Sequence, residues 1–237
     1  MALALDLSGR VVLVTGGTRG IGLGIAGSFR AAGARVLTCS RSEVAAEDHY
    51  VCDVRDPDAV AAMVARVVAD AGRLDVLVNN AGGSPYALAA DASARFHDKV
   101  VGLNLLGPLS CAQAANAVMQ GQESGGSVVN VSSVSARRPS PGTAAYGAAK
   151  AGLDSLTASL AVEWGPKVRV NSIDVGLCRT DDTADHYGGD AQVAAIERTI
   201  PLGRMARPEE VGGVVGAAQP DVDRVHPDLR PPLHRQR

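Results

Sequence analysis

No excess of charge of either sign marks this sequence: 23 lysines and arginines stand against 25 aspartates and glutamates, a formal net charge of −2. Proteins that hold nucleic acid or anionic membranes display basic patches, and no long basic run occurs here before the C-terminal tail. Neither nucleic acid nor membrane is expected as a partner; small molecules are. Long apolar runs are missing too, each being broken by glycine or charge well short of the length that spans a bilayer. Met1 to Ser8 has neither a cationic start nor an apolar stretch of export-signal length, so a soluble, cytoplasmic protein is expected. Cysteine is sparse: Cys39, Cys52, Cys111 and Cys178 lie apart, without CxxC or histidine spacing. Each sits within or beside an apolar segment, which suits a reduced, buried residue better than a disulfide or zinc framework, and no metal site is expected. No internal repeat is evident.

What the chain does have is alternation. Short β-rich runs, "RVVLVT", "RVLTCS", "HYVCDV", "LDVLVNN", "SVVNVSS" and "VRVNSI", alternate with helical patterns such as "GIGLGIAGSFRAAG", "DAVAAMVARVVADAG" and "PEEVGGVV". This order predicts a parallel sheet covered by helices on both faces: an α/β, Rossmann-type, doubly wound, three-layer fold in a single domain. The strands are apolar almost throughout, as strands buried on both sides should be. Ligands in such sheets bind beyond the carboxyl ends of the strands, so the residues just after each strand are the candidates for chemistry.

After the first strand comes "TGGTRGIG", Thr15 to Gly22, in which Gly16, Gly20 and Gly22 allow a tight turn and let a pyrophosphate approach a helix N-terminus. The second strand ends at Ser40 and Arg41. An acidic residue there holds the ribose 2′-hydroxyl of NAD, whereas an arginine accommodates the 2′-phosphate of NADP. Arg41, with Arg19 from the glycine turn, therefore favours NADP(H) over NAD(H); the plainer reading of both is solvated surface charge. Asp53 closes the third strand and could accept a bond from an adenine amino group, while Asn80, Ala81 and Gly82 in "NNAG" offer a small, flat surface to a cofactor. In "AAYGAAKAGL", Tyr146 and Lys150 are four residues apart and so share one helix face. Without other motifs that pair reads as a half-buried tyrosine beside a snorkelling lysine.

Together, "TGGTRGIG", "NNAG", the asparagine of "GLNLLG", the serine of "VNVSSVS" and "YGAAK" resemble the short-chain dehydrogenase/reductase family, in its single-domain branch, from about Ser8 to Val215. The resemblance implies a hydride transfer between NADP(H), or NAD(H), and a ketone or secondary alcohol. It implies Tyr146 as acid/base, Lys150 as the lysine that lowers the phenol's pKa from about 10 and binds the nicotinamide ribose, and Ser133 as the serine that holds the substrate oxygen. Ser132 is the lesser candidate, because strand alternation turns it to the other face. Asn104 resembles the family's helix-kinking asparagine, whose carbonyl supports a water linked to the lysine. The implied cofactor-binding set is Gly16, Thr18, Arg19, Gly20, Ile21, Gly22, Ser40, Arg41, Asp53, Val54, Asn80, Ala81, Gly82, Tyr146, Lys150, Gly176, Cys178 and Thr180. A homo-oligomer, dimer or tetramer, is implied as well.

Two departures from the family pattern stand out. "DVGLCRT" has Val175 where the family has proline, although Gly176 and Thr180 still match, and Asp181 to Thr199 corresponds to a substrate lid whose sequence names no substrate. After Gly216 the chain becomes "AAQPDVDRVHPDLRPPLHRQR", whose prolines and missing apolar face exclude a central strand. The expected organisation is thus a catalytic domain over residues 1–216 and an irregular, Pro/Arg-rich tail over 217–237, with the family's last strand missing or altered. An alternative substrate is a 3-oxoacyl thioester, with Arg137 and Arg138 receiving an acidic carrier protein. A non-enzymatic alternative is a cofactor-binding protein with little turnover because of the altered C-terminus.

Overall fold

Along Val11–Thr15 (β1) every side chain is buried, yet successive ones face opposite ways. Val11 and Leu13 join one apolar cluster while Val12 and Val14 join another, as happens when a strand is covered on both faces. The computed structural model describes residues 6–46 and 48–218. In it β1 is a central strand of a six-stranded parallel sheet of order β3-β2-β1-β4-β5-β6, whose other members are β2 (Arg35–Ser40), β3 (His49–Val51), β4 (Val76–Asn79), β5 (Gly126–Ser133) and β6 (Val168–Val175). Val12 lies opposite both Val36 and Val76. The chain builds outward from β1 through β2 and β3, then returns to lay β4 on the other side. That reversal opens a crevice at the carboxyl ends of β1 and β4.

Helices fill both faces. On one, α2 (Pro57–Ala71) and α4 (Gly107–Gly121) bring Val60, Met63, Val67, Cys111 and Met119 against Leu13, Leu37, Leu77 and Val128. On the other, α1 (Gly20–Ala31) and α8 (Pro208–Ala217) bring Ile25, Phe29, Val211 and Val215 against Val12, Val14 and Val129. Local signals set the helix ends. Asp56 caps α2 by accepting from the amides of Asp58 (3.0 Å) and Ala59 (3.1 Å), Pro57 occupies the first turn, and Gly72 ends the helix in the left-handed region, as capping preferences dictate. Helix α3 (Ala94–Val101) runs into a π-helical turn, Gly102–Leu106, and so into α4. Helix α5 (Ala144–Trp164) is the longest, and the short α6 (Thr183–Tyr187) and α7 (Asp190–Glu197) follow β6.

A chain of polar groups crosses the core and seats α5 on the sheet. The Asn79 amide donates to the Asn130 side-chain oxygen (2.9 Å) and the Pro108 carbonyl (3.0 Å); Asn130 donates to the Thr157 hydroxyl (2.8 Å), which donates to the Leu153 carbonyl (2.7 Å). Each bond contributes about 1 kcal/mol when made and costs more when a buried partner is orphaned. The chain therefore fixes β4, β5, α4 and α5 in one register.

The third strand is shorter than "HYVCDV" suggests. It stops at Val51, and Asp53 lies in a turn where its carboxylate accepts from the Arg55 backbone amide (3.1 Å), an Asx interaction that competes with the ladder. Helix α8 carries "PEEVGGVV" to Ala217; the irregular tail expected over 217–237 lies, apart from Ala217 in this helix and Ala218 at its C-cap, outside the described residues, as does the expected loss of a last strand. No helix among the described residues is long and apolar enough to cross a membrane.

Helices α1 and α8 meet backbone to backbone. A Cβ on Gly24 would lie 2.3 Å from the Pro208 Cβ and 2.4 Å from its carbonyl carbon, and one on Gly212 would lie 2.2 Å from the Ser28 hydroxyl, whereas one on Gly27 would meet nothing within 4 Å. Gly24→Ala is expected to destabilise by about 1–3 kcal/mol. Gly27→Ala, on the same helix, should stabilise by about 0.5–1 kcal/mol through helix propensity. Denaturant titration of the two variants checks the contrast, and equal effects would refute the packing account.

Candidate active site

Between Thr15 and α1 the backbone turns through Gly16 at φ 63° and Gly20 at φ 52°, a region in which a side chain is strained. A Cβ on Gly22 would lie 2.1 Å from the Gly16 carbonyl oxygen, and one on Gly16 would lie 3.1 Å from the Ala81 Cα. No side chain caps α1, so the amides of its first turn and the helix dipole are directed at whatever anion occupies the turn. The Thr15 hydroxyl accepts from the backbone amides of Asn80 and Ala81, both at 3.0 Å, and donates to the Val78 carbonyl at 3.3 Å. The Asn80 side chain donates to the carbonyls of Thr15 (2.9 Å) and Gly16 (3.2 Å).

From this turn a cavity of about 680 Å³ runs along the strand ends to α5. It brings together Gly16, Thr18, Arg19, Gly20, Ile21, Gly22, Ser40, Arg41, Asp53, Val54, Asn80, Ala81, Gly82, Ser133, Tyr146, Lys150, Gly176 and Thr180. Asn104 and Cys178 are not among its lining residues. Cys178 packs against the core on the α1 side and its backbone bridges to Ala206. Asn104 is fully buried in the π-helical turn; its amide donates to the carbonyls of Gly83 and Val100, both at 2.9 Å, and its oxygen accepts from the Gly83 amide at 2.9 Å. It thus clamps the loop after β4. A Cβ on Gly82 would lie 2.7 Å from the Asn104 oxygen and 3.4 Å from Lys150 Nζ, so glycine there lets clamp and lysine approach each other.

Sequence reasoning missed Ser42, Val44 and Asp182, which also line the cavity. Ser42 and Val44 follow β2 in a stretch with no motif, and Asp182 belongs to the variable segment after β6. Arg19, 80% exposed, lies 3.7 Å from Asp182. Asp53 is engaged by the Arg55 guanidinium, with Nε 2.9 and 3.1 Å from its two oxygens, and this bond holds the carboxyl below its ordinary value. Arg137 donates to Asp174 at 2.9 Å and pairs with Asp154 at 3.3 Å, while Arg138 is exposed.

Lys150 is buried, and its Nζ donates to the Val131 carbonyl of β5 at 2.6 Å while lying 5.7 Å from the centre of the Tyr146 ring. Burial pushes the lysine down from 10.5 to about 8, with Asp154 pulling the other way. Burial pushes the Tyr146 phenol up, opposed by its hydrogen bond with the Ser133 hydroxyl. The expected lowering of the phenol by its ammonium neighbour is therefore not what the protein by itself shows: desolvation raises the phenol, and the group that opposes it is the Ser133 hydroxyl. Ser133 also accepts from the Ser135 amide at 3.2 Å, and Ser132 reaches the Lys150 carbonyl at 3.4 Å. A serine hydroxyl, a phenol and a lysine thus converge at one end of a cleft whose other end is built for an anion.

Comparison with known proteins bears on this geometry. A family model described as enoyl-(acyl carrier protein) reductase matches residues 16–218. The 3-oxoacyl-[acyl-carrier-protein] reductase FabG of Thermotoga maritima is 36% identical over 225 residues, covering 89% of this chain and 90% of that protein. An uncharacterized short-chain type dehydrogenase/reductase of Sinorhizobium fredii is also 36% identical, over 87% of this chain, but the chain spans only 40% of its length. Among solved structures, the ligand-free aldohexose dehydrogenase of Thermoplasma acidophilum superposes with a TM-score of 0.82 at 29% identity, covering 90% of this chain and 87% of that one.

The depressed lysine has a consequence for stability. Between about pH 8 and pH 10.5 the folded protein has released a proton that the unfolded chain still holds, so this group makes stability rise with pH across that window, and its burial penalty is felt in full below it. Lys150→Met removes the charge and keeps the bulk. The wild type should gain stability relative to this variant as pH climbs through the window, and a constant difference in denaturant titrations at neutral and alkaline pH would contradict the assignment.

Proposed function

Because the chain belongs to the short-chain dehydrogenase/reductase family, whose members are NAD(P)-dependent oxidoreductases of small carbonyl and alcohol substrates, we propose that it interconverts a ketone and a secondary alcohol with NADP(H) as favoured cofactor. The observation that carries this reading is the convergence of the Ser133 hydroxyl, the Tyr146 phenol and Lys150 at the far end of the cavity that starts at the glycine turn. The residues present fit a dinucleotide. The turn at Gly16 and Gly22 is a cradle that any Cβ would fill, and the uncapped start of α1 suits a pyrophosphate. Asn80 to Gly82, Gly176 and Thr180 line the cavity further on, toward Tyr146 and Lys150.

When bound, the nicotinamide supplies or accepts the hydride at the substrate carbon. Ser133 orients the substrate oxygen. Tyr146 gives that oxygen a proton in reduction and takes it back in oxidation; a phenol raised by burial carries its proton at neutral pH, the state that donates. Lys150 holds positive charge beside the phenol and so favours its ionised form as the proton leaves. Asn104 keeps Gly83, and with it the loop after β4, against the lysine.

Three further readings belong to this proposal. NADP(H) is favoured because β2 ends in Ser40 and Arg41, not in an acid, and Arg41 lines the cavity with Arg19 nearby. The catalytic unit is residues 1–216. A homo-oligomer is supported by the outer face of α5, where Ala148, Ala151, Ala158 and Val162 are exposed without a charge between them. A 3-oxoacyl-thioester substrate delivered by an acidic carrier is less favoured, since Asp154 and Asp174 already claim Arg137.

Tyr146→Phe keeps the ring and removes the proton. Turnover should fall by about 10²-fold or more while NADPH still binds, measured on a panel of ketones, 3-oxoacyl thioesters and secondary alcohols with both cofactors. Turnover within a few-fold of wild type would remove Tyr146 from the mechanism. Arg41→Asp puts repulsion where a 2′-phosphate would sit and should weaken NADPH by roughly tenfold or more with little change for NADH. Parallel losses for both cofactors would count against Arg41 as the discriminating residue.

A further inference from the structure

β3 is the edge strand beside β2, and His49 opens it opposite Thr38. Both ring nitrogens are engaged. Nδ1 lies 3.0 Å from the Thr38 hydroxyl, while Nε2 lies 3.2 Å from the Ser40 hydroxyl and 3.1 Å from the Ser42 carbonyl oxygen. The Ser40 hydroxyl itself donates to the Ser42 carbonyl at 2.8 Å. A carbonyl can only accept, so the network assigns the proton to Nε2 and leaves Nδ1 of the neutral ring to accept from Thr38. The Ser42 oxygen then has two donors for its two lone pairs, and the three-residue turn that ends β2 is closed from Ser40 to Ser42 over one imidazole.

Arg41 sits between these two pinned residues. Ser40, Arg41 and Ser42 all line the nucleotide cavity; His49 does not. The imidazole therefore acts on the cavity only through the turn. A guanidinium reads a phosphate by directed, charge-assisted bonds, and these weaken if the backbone that carries it must be ordered at the moment of binding. The adenosine 5′ side and the pyrophosphate are served by the glycine turn, which His49 does not touch. Loosening the β2 turn should thus penalise the ribose 2′ substituent selectively.

We propose that His49 is a positioning residue for cofactor choice, holding the Ser40–Arg41–Ser42 turn in the form that distinguishes a ribose 2′-phosphate from a 2′-hydroxyl. The proposal rests on reading the cavity as a nucleotide site with Arg41 at the ribose.

The test uses two nucleotides that lack the nicotinamide, so no turnover is involved. Binding of 2′,5′-ADP and 5′-AMP to the full chain is measured by titration calorimetry for the wild type, Arg41→Ala, His49→Asn and His49→Gln, with thermal midpoints recorded for each. Asparagine places an amide where Nδ1 was and loses the reach to Ser40 and Ser42; glutamine places an N–H where Nε2 was. His49→Asn should bind 2′,5′-ADP about tenfold more weakly and 5′-AMP within about twofold of wild type, and His49→Gln should recover most of the loss. If the wild type and His49→Asn discriminate alike, or if His49→Asn loses both nucleotides equally, the histidine is merely structural and the proposal falls while the cofactor reading stands. A His49→Gln variant as weak as His49→Asn overturns the assignment of the Nε2 donor. If the wild type binds the two nucleotides equally, or Arg41→Ala does not diminish its preference, the 2′-phosphate reading fails and takes the proposal with it.

Discussion

The hydroxyl of Thr15 and the side-chain amide of Asn80 do what the ladder can no longer do once β1 and β4 part. These strands pair at Val12, Leu13 and Val14, and beyond that their connections leave for opposite faces of the sheet. Buried backbone groups at such a fork need partners. Five hydrogen bonds from the two side chains supply them, tying Thr15 and Gly16 to Val78, Asn80 and Ala81. The glycine turn is thereby held against the loop after β4, and the crevice keeps its shape without side chains of its own in the way. Everything downstream, from Gly82 to the Asn104 clamp, hangs on that loop.

At the far end of the crevice the problem is different: a cation has to be kept out of water. Lys150 is reconciled to burial by one carbonyl, that of Val131, and by the Asp154 carboxylate one turn further along α5. Asp154 is in turn held by Arg137, which also binds Asp174 of β6. The segment that follows Ser133, the helix that carries Tyr146 and the strand that leads to Gly176 therefore share one guanidinium. A buried charge is costly unless its partners are fixed, and here the fixing joins the three segments that supply the chemistry.

Much of this was legible in the sequence where a signal was local and repeated. The apolar runs gave strands buried on both faces, the glycines after β1 marked a turn without room for Cβ, and the four-residue spacing placed Tyr146 and Lys150 on one face. Other features depend on distance in space. The phenol's direction of shift follows from burial, which spacing does not report. Asn104 could be marked as a kink, but its bonds to Gly83 join positions 21 apart in the chain. Arg137 looked like loop charge because Asp174 is 37 residues away. His49 carried no motif, and its role emerges only when β3 is laid beside β2. The segment from Ala94 to Gly121 is α3, a π-helical turn and α4 in succession, and its internal Gly and Pro blurred any periodic reading.

The crossing of α1 and α8 has a consequence at the level of the gene. Glycine is the one residue without a Cβ, so every missense change in a glycine codon, whichever base is altered, adds at least a methyl group. At Gly24 and Gly212 that methyl has backbone or a neighbouring side chain already in its place. Neither position offers a graded series of neighbours through which the fit between the first and last described helices could drift, as an alanine-to-valine-to-isoleucine series does in an ordinary core. The interface can be kept or it can be rebuilt, and rebuilding requires compensating changes on both helices at once.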